Sequence, residues 1–375
     1  MDTSFFRILD ASLNRAGEGL RVVEDLLRFV LDDPFLTEQA KSLRHDLTAA
    51  AMAIPTTNRH AARETQHDVG TQLSTSEEAK RVDGFDVCAA NFKRAEQSLR
   101  SLEEYGKLVD AGFARQMESL RYRLYTLEKA ADLGRSSRDR LKRVRLCVLV
   151  DGGRSVDDFA NLIKELAFSG VPMIQLRDKR LTDAKLTERA KLMCSICRRP
   201  QMVMPQGEIP YAPLCVVNDR PDVAAAAHAD GVHLGQEDMT VKDARAIVGT
   251  RMLIGMSTHT IEQARAAVLD GANYLGAGPT FTSRSKSFDE FSGVGYLREV
   301  AAEIRLPTFA IGGISRENLQ DVLATGISRV AVIGAVTGAS EPGCAASELL
   351  GMLNCAGDEL RTAAKAASPS LTSDL

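Results

Sequence analysis

The chain is expected to pair a (β/α)8 TIM barrel with a separate all-α N-terminal domain, an α/β class overall. Three observations carry this expectation. From Val144 onward, eight short apolar runs alternate with helical patterns. Strictly alternating units imply parallel strands with outer helices, and eight of them close a barrel. Before Val144, apolar residues recur at helical spacing, as in Leu20, Val23, Leu26, Leu27 and Val30. Finally, 375 residues are enough for two domains. The boundaries are set at 1–140 for the helical domain and 141–356 for the barrel. Residues 357–375 form a small, polar tail expected to lack order.

In the helical part, Asp33-Pro34 breaks the first helix. An internal repeat follows. Arg15-Ala16, Leu20-Arg21 and Glu24-Asp25 match Arg94-Ala95, Leu99-Arg100 and Glu103-Glu104 at a constant offset, closed by Val30 and Val109. Two similar long helices packed about a pseudo-twofold axis are expected. Arg and Glu three or four residues apart share a helix face and can pair. Arg21, Glu24, Arg100 and Glu103 therefore either line a polar centre or form a solvated charged face. Between the copies, residues 63–71 are polar and turn-prone, with His67 and Asp68 placed to hold a ligand or to order a loop. No Gly-rich cradle followed by lysine occurs here, so no self-sufficient nucleotide kinase is visible from chemistry alone. Gly134 to Ser137 reads as the end of a helix and a linker.

The barrel part opens with strand Val144–Val150, helix Val156–Phe168 and strand Val171–Leu176. A helix at about 182–198 follows. Further strands fall near 214–217, 230–234, 252–255, 272–276, 307–311 and 329–333. The proline-bearing segment 199–213 is too long for an ordinary connection and reads as an insertion at the barrel base.

Bulk composition excludes several classes. A net charge of −3 gives no basic field for nucleic acid. No apolar run spans a membrane, and the N-terminus lacks a signal peptide pattern. Seven cysteines, with Cys147 and Cys215 in apolar runs, fit buried thiols and a cytoplasmic location. Cys194 and Cys197 have a metal-like spacing but no second pair, so plain helix cysteines are the better reading. The expected partners are small molecules, with no nucleic acid and no membrane, and a homo-oligomer is left open.

Barrels of this type build sites at the C-terminal ends of their strands. There the polar residues gather: Gln175 to Lys179, Asn218-Asp219, His233 to Asp238, Ser257 to His259, Gly312-Gly313 and Ile333-Gly334. After the sixth strand comes Gly276 to Lys286, a loop of glycines, Ser283, Arg284, Ser285 and Lys286. Hydroxyls, free N–H groups and a cation suit a phosphorylated ligand, although such a loop also suits an ordinary surface. Glycine turns after strands seven and eight form phosphate sites in many such barrels. A second anionic group would face Arg177, Lys179 and Lys286, with Asp219 and Asp238 alongside. Carboxylates beside a phosphate site make sense with a cation between them, and Mg2+ binds through one or two carboxylates plus phosphate oxygens. His233 reads as a core histidine and is given no catalytic role.

These motifs, in this order, resemble those of the thiamine phosphate synthase family over roughly residues 144–355. They are Gln-Leu-Arg-x-Lys at 175–179, Asn-Asp at 218–219, the run 231–238, Ser-x-His-Thr at 257–260, the loop 278–286, Gly-Gly-Ile at 312–314 and Val-Ile at 332–333. The resemblance implies a pyrimidine diphosphate site at Gln175, Leu176, Arg177, Asp178, Lys179, Asn218, Ser257 and Lys286. It implies Mg2+ on Asp219 and Asp238, and thiazole phosphate against Ser283, Arg284, Ser285, Gly313, Ile333 and Gly334. Arg177, Lys179, Lys286 and Ser257 would carry the chemistry: joining of the two rings with release of diphosphate. Three departures stand out: serines in place of threonines at 283 and 285, Gly334 in place of a common serine, and the 199–213 insertion. The alternatives are a thiazole tautomerase of the same fold, and an N-terminal half that only dimerises or regulates. That half resembles the helical domain fused to some of these synthases and proposed as a hydroxymethylpyrimidine phosphate kinase.

Overall fold

A computed structural model describes residues 4–64, 80–198, 212–282 and 292–367, with side chains through 356. Two compact units divide the chain, Met1–Asp132 and Leu133–Leu375.

The first unit is helical: α1 (Ser4–Phe29), α2 (Pro34–Ala51), α3 (Thr56–Ala61), α4 (Gly84–Gly106) and most of α5 (Ala111–Arg140). α1 and α4 form its most extensive pair. They approach closely because small residues face each other. A Cβ on Gly19 would stand 2.9 Å from the Asn91 carbonyl oxygen, and Ala16 and Ala95 are fully buried. The repeat is a helical hairpin rather than a single helix. Asp33 caps α2 by accepting from the Leu36 N–H (3.0 Å), and Asp110 caps α5 by accepting from the Phe113 N–H (2.6 Å). The offset is 79 residues between Arg15 and Arg94 but 77 between Asp33 and Asp110. The two-residue change falls in the turn between the helices.

The second unit is a closed barrel of eight parallel strands in sequential order. They are β1 (Leu146–Val150), β2 (Met173–Leu176), β3 (Leu214–Asn218), β4 (Gly231–Leu234), β5 (Leu253–Thr258), β6 (Tyr274–Ala277), β7 (Thr308–Ile311) and β8 (Val330–Val332). Between them run α6 (Val156–Phe168), α7 (Asp183–Cys197), α8 (Pro221–Ala226), α9 (Val241–Val248), α10 (Ile261–Asp270), α11 (Gly293–Glu303) and α12 (Leu319–Leu323). α13 (Gly334–Thr337) and α14 (Pro342–Ala367) follow β8. Cys147, Leu149, Met173, Val216, Leu253, Tyr274 and Phe309 fill the interior. Buried cysteines stay free thiols. No helix among the described residues is long and apolar enough to cross a membrane.

Two expectations change. Gly134 does not end a helix: α5 continues to Arg140, and its last turns belong to the barrel. Ser137 is fully buried and accepts from Asn273 Nδ2 at 2.9 Å, while Leu141 packs into the barrel core. The polar sequence there is therefore not a linker but one edge of the barrel base. At the other end, α14 runs to Ala367, well into the stretch expected to lack order. Most of the insertion, residues 199–211, lies outside the described residues, as do His67 and Asp68.

Candidate active site

A cleft of about 490 Å3 opens at the C-terminal strand ends. Gln175, Arg177 and Lys179 reach it from the end of β2, Asn218 and Asp219 from β3, and His233 and Asp238 from β4 and its loop. Ser257 and His259 come from β5. Tyr274 and Phe309 form the floor, and Ile333 one wall.

Local geometry sets each side chain. Gln175 is buried and donates through Nε2 to Asn218 Oδ1 at 2.9 Å, tying two neighbouring strands. Asp219 has a left-handed backbone (φ 62°), which Asp tolerates better than most residues. Its N–H donates to the His233 carbonyl at 2.8 Å. Asp238 accepts from the Gly235 N–H at 2.6 Å. A Cβ on Gly235 would stand 2.9 Å from Asp238 Oδ2, so that residue's lack of a side chain lets the carboxylate fold inward.

The electrostatics are unbalanced. Asp219 is pushed above the ordinary carboxylate value by burial and then by Asp238 beside it, while Lys179 pulls the other way. Lys179 Nζ lies 3.0 Å from Asp219 Oδ2. A second carboxylate beside Asp219 thus favours its protonated form, as a neighbouring like charge does. His233 is pushed down to about 4 by burial, so its ring is neutral near pH 7.

A second cavity of about 560 Å3 adjoins the first, sharing Gly312, Ala331 and Ile333. Thr282, Gly313, Ser315 and Gly334 line it. Gly313 has φ 63°, and a Cβ there would come within 2.4 Å of the Thr282 carbonyl oxygen; glycine alone fits.

Among the residues singled out from sequence, Gln175, Arg177, Lys179, Asn218, Asp219, Asp238 and Ser257 therefore share one cleft, with Gly313, Ile333 and Gly334 at the adjoining one. Leu176 and Asp178 do not line either. Leu176 is fully buried. Asp178 turns to Arg180 (2.9 Å) and accepts from the Gly152 N–H (3.1 Å), and that arginine holds its carboxyl far below the ordinary range. It braces the β2 loop instead of touching the cleft. Ser283, Arg284, Ser285 and Lys286 lie outside the described residues. Thr260 caps α10, accepting from the Gln263 N–H. His233 was missed as a cleft residue. Its signal was the glycines on the next two strands, Gly255 and Gly276, where a Cβ would stand 2.5 and 3.0 Å from its ring; the barrel registers join His233 to Gly255 and Gly255 to Tyr274.

Fold and site together define a parallel-barrel enzyme for phosphorylated small molecules, with an acidic pair at strand ends and a glycine-lined pocket next to it. A family model described as "Thiamine monophosphate synthase" matches residues 146–336, and one described as "ThiD2 family" matches residues 7–130. A thiamine-phosphate synthase of Rhodopirellula baltica is 44% identical over 339 residues, covering 88% of each chain. One of Gloeobacter violaceus is 40% identical over 348 residues, covering 93% of this chain and 96% of that one. Among solved structures, a thiamine phosphate pyrophosphorylase from Pyrococcus furiosus is 33% identical, with a TM-score of 0.49 over 57% of this chain and 97% of that one. The chain belongs to the thiamine monophosphate synthase family, and its activity is that of a transferase making thiamine phosphate.

Proposed function

We propose that the cleft lined by Gln175, Arg177, Lys179 and Asp219 holds the aminopyrimidine diphosphate and the adjoining glycine-lined cavity the thiazole phosphate. The carrying observation is the Asp219–Asp238 pair beside Lys179 and Arg177 at the strand ends. The thiazole nitrogen forms a bond to the pyrimidine methylene carbon, the carbon–oxygen bond to diphosphate breaks, and diphosphate leaves. Arg177 and Lys179 would neutralise the charge that develops on the departing group. Gln175 and Asn218, bound to each other, would orient the pyrimidine. Neither a protein nucleophile nor a general base is required. Lys286 is assigned to the same leaving group from its place in the motif.

The donor set fits Mg2+: two carboxylates that repel each other, open to a cleft sized for phosphate oxygens. When bound there, the ion would supply charge neutralisation to the diphosphate. Calorimetric titration of the full chain with Mg2+ in the presence of pyrimidine diphosphate tests this. One site is expected, lost in Asp219→Asn. Undiminished Mg2+ binding by the variant would remove the assignment.

For the N-terminal unit we propose phosphorylation of the pyrimidine monophosphate upstream of coupling, supported by the match of residues 7–130. Full chain given pyrimidine monophosphate, ATP, Mg2+ and thiazole phosphate should yield thiamine phosphate. A chain of residues 133–375 should do so only from the diphosphate.

A further inference from the structure

Ser257 has a hydroxyl in the cleft whose described hydrogen-bond partner is His233 Nε2, at 2.9 Å. On the other side of the ring, His233 Nδ1 lies 3.2 Å from the Tyr274 hydroxyl. Three residues from three adjacent strands thus form one chain of hydrogen bonds, Tyr274 to His233 to Ser257. The barrel is shaped to hold it. A Cβ on Gly255 would sit 2.1 Å from Tyr274 Cζ and 2.5 Å from His233 Nδ1, and one on Gly276 would sit 3.0 Å from His233 Cε1. The tyrosine ring lies tilted by 34° against His233 (centroids 5.5 Å) and edge-on to Phe309 (5.6 Å).

The direction of the chain follows from the deepest group. Tyr274 is buried, and its hydroxyl proton has one acceptor among the described residues, His233 Nδ1. A buried donor left unpaired is costly, so the proton points at Nδ1. A ring that accepts at Nδ1 carries its own proton on Nε2. That proton is donated to Ser257 Oγ. Ser257 then accepts from His233, and its own hydroxyl proton is free to be donated outward.

We propose that Tyr274 and His233 act as a positioning relay that makes Ser257 an obligatory hydrogen-bond donor to an anionic oxygen of the diphosphate. The alternative order, with Nδ1 protonated, would turn the Ser257 proton inward and present lone pairs to an anion, which is repulsive. The relay selects the donor before substrate arrives, so no reorientation is needed as charge develops on the leaving group. This inference rests on the reading of the cleft as the diphosphate site.

Ring-15N-labelled histidine in the full chain provides the test, with the His233 signals assigned by their loss in His233→Gln. A pyridine-like Nδ1 and a pyrrole-like Nε2 are expected, and Tyr274→Phe should convert this single tautomer into a mixture. A pyrrole-like Nδ1 in the unsubstituted protein would overturn the relay, whatever the coupling activity. In coupling assays, Tyr274→Phe should lower kcat about tenfold, the value of one hydrogen bond to a charged group, with KM for thiazole phosphate unchanged. His233→Gln, whose amide still donates toward Ser257, should turn over several-fold faster than His233→Leu. Equal rates for those two, in folded protein, would also refute the relay. Should the tautomer be as expected but Ser257→Ala couple at full rate, the diphosphate reading of the cleft fails and with it the relay's function.

Discussion

The two units arrange their charges in opposite ways. In the helical unit, the buried glutamates of the repeat are each answered by an arginine. Glu24 pairs with Arg44 at 2.9 Å, and Glu103 pairs with Arg121 at 2.9 Å. Half-exposed Arg21 and Arg100 add pairs from the glutamates' own helices. In the barrel cleft, Asp219 has a like charge, Asp238, beside it against the single exposed Lys179 at 3.0 Å, and takes a left-handed backbone at its strand end. Paired charges placed twice by a repeat hold helices together. Like charges placed side by side once, on a rigid scaffold, favour a further cation beside them.

The sharpest way to break this comparison is to remove one of the two like charges. Asp219→Ala should lower coupling at least ~100-fold, in line with the loss of a major electrostatic contact. Asp219→Asn removes the repulsion yet keeps a side chain that tolerates the left-handed backbone, so it should lose coupling with a melting temperature equal to or above that of the unsubstituted chain. A coincident loss of stability and activity would place Asp219 among the structural charges.

The opposite substitution belongs to the helical unit. Arg121→Ala strands buried Glu103 with only the half-exposed Arg100 as partner. The unit should lose roughly 3 kcal/mol of stability, read by denaturant unfolding, while coupling from the pyrimidine diphosphate is unchanged. A coupling defect in folded protein would show that the two units are not separable in function.

A third change tests where one unit stops. Residues 133–375 and 141–375 differ by the last turns of α5. The shorter chain lacks Ser137 and leaves Asn273 Nδ2 unpartnered at the barrel base. It should melt several degrees lower, reflecting about 1–3 kcal/mol for an orphaned buried donor, with coupling retained while folded. Equal melting temperatures would restore a boundary at 140.

Much of this was legible in sequence, for physical reasons. Strand runs in the barrel are buried on both faces, so they stand out as β-branched apolar stretches, and the strand-end rule gathers the polar residues. What stayed hidden depended on three-dimensional context. Arg44 and Arg121 were not recognised as partners because the repeat offset shifts by two residues in the inter-helix turn. Gly134 signalled a helix end, but packing of Ser137 and Leu141 against the barrel overrides the local preference. Asp178 looked like a cleft carboxylate because it sits between Arg177 and Lys179; its direction is set by Arg180. His233 looked like plain core until the glycines on the two strands beyond it explained the space its ring and Tyr274 occupy.

One place in the helical unit departs from its own rule, and it provides the mildest test. Glu96 is buried at the α4–α5 contact beside Glu128, with Lys93 Nζ reaching Glu96 at 3.1 Å and Glu128 at 2.7 Å. One ammonium serves two carboxylates, and burial followed by the neighbouring Glu128 pushes the Glu96 carboxyl up to about 7. An acid whose folded value is raised binds its proton more tightly in the folded state. Between its ordinary value and about 7 the folded chain therefore holds a proton that the unfolded chain has released. Stability falls as pH rises through that window and levels off above it. Glu96→Gln keeps the shape and removes the charge, so it should flatten this slope and raise the melting temperature of the N-terminal unit above pH 7, while hardly changing it near pH 4. An unchanged slope would mean that Lys93 fully compensates both carboxylates, and the helical unit would then follow its pairing rule without exception.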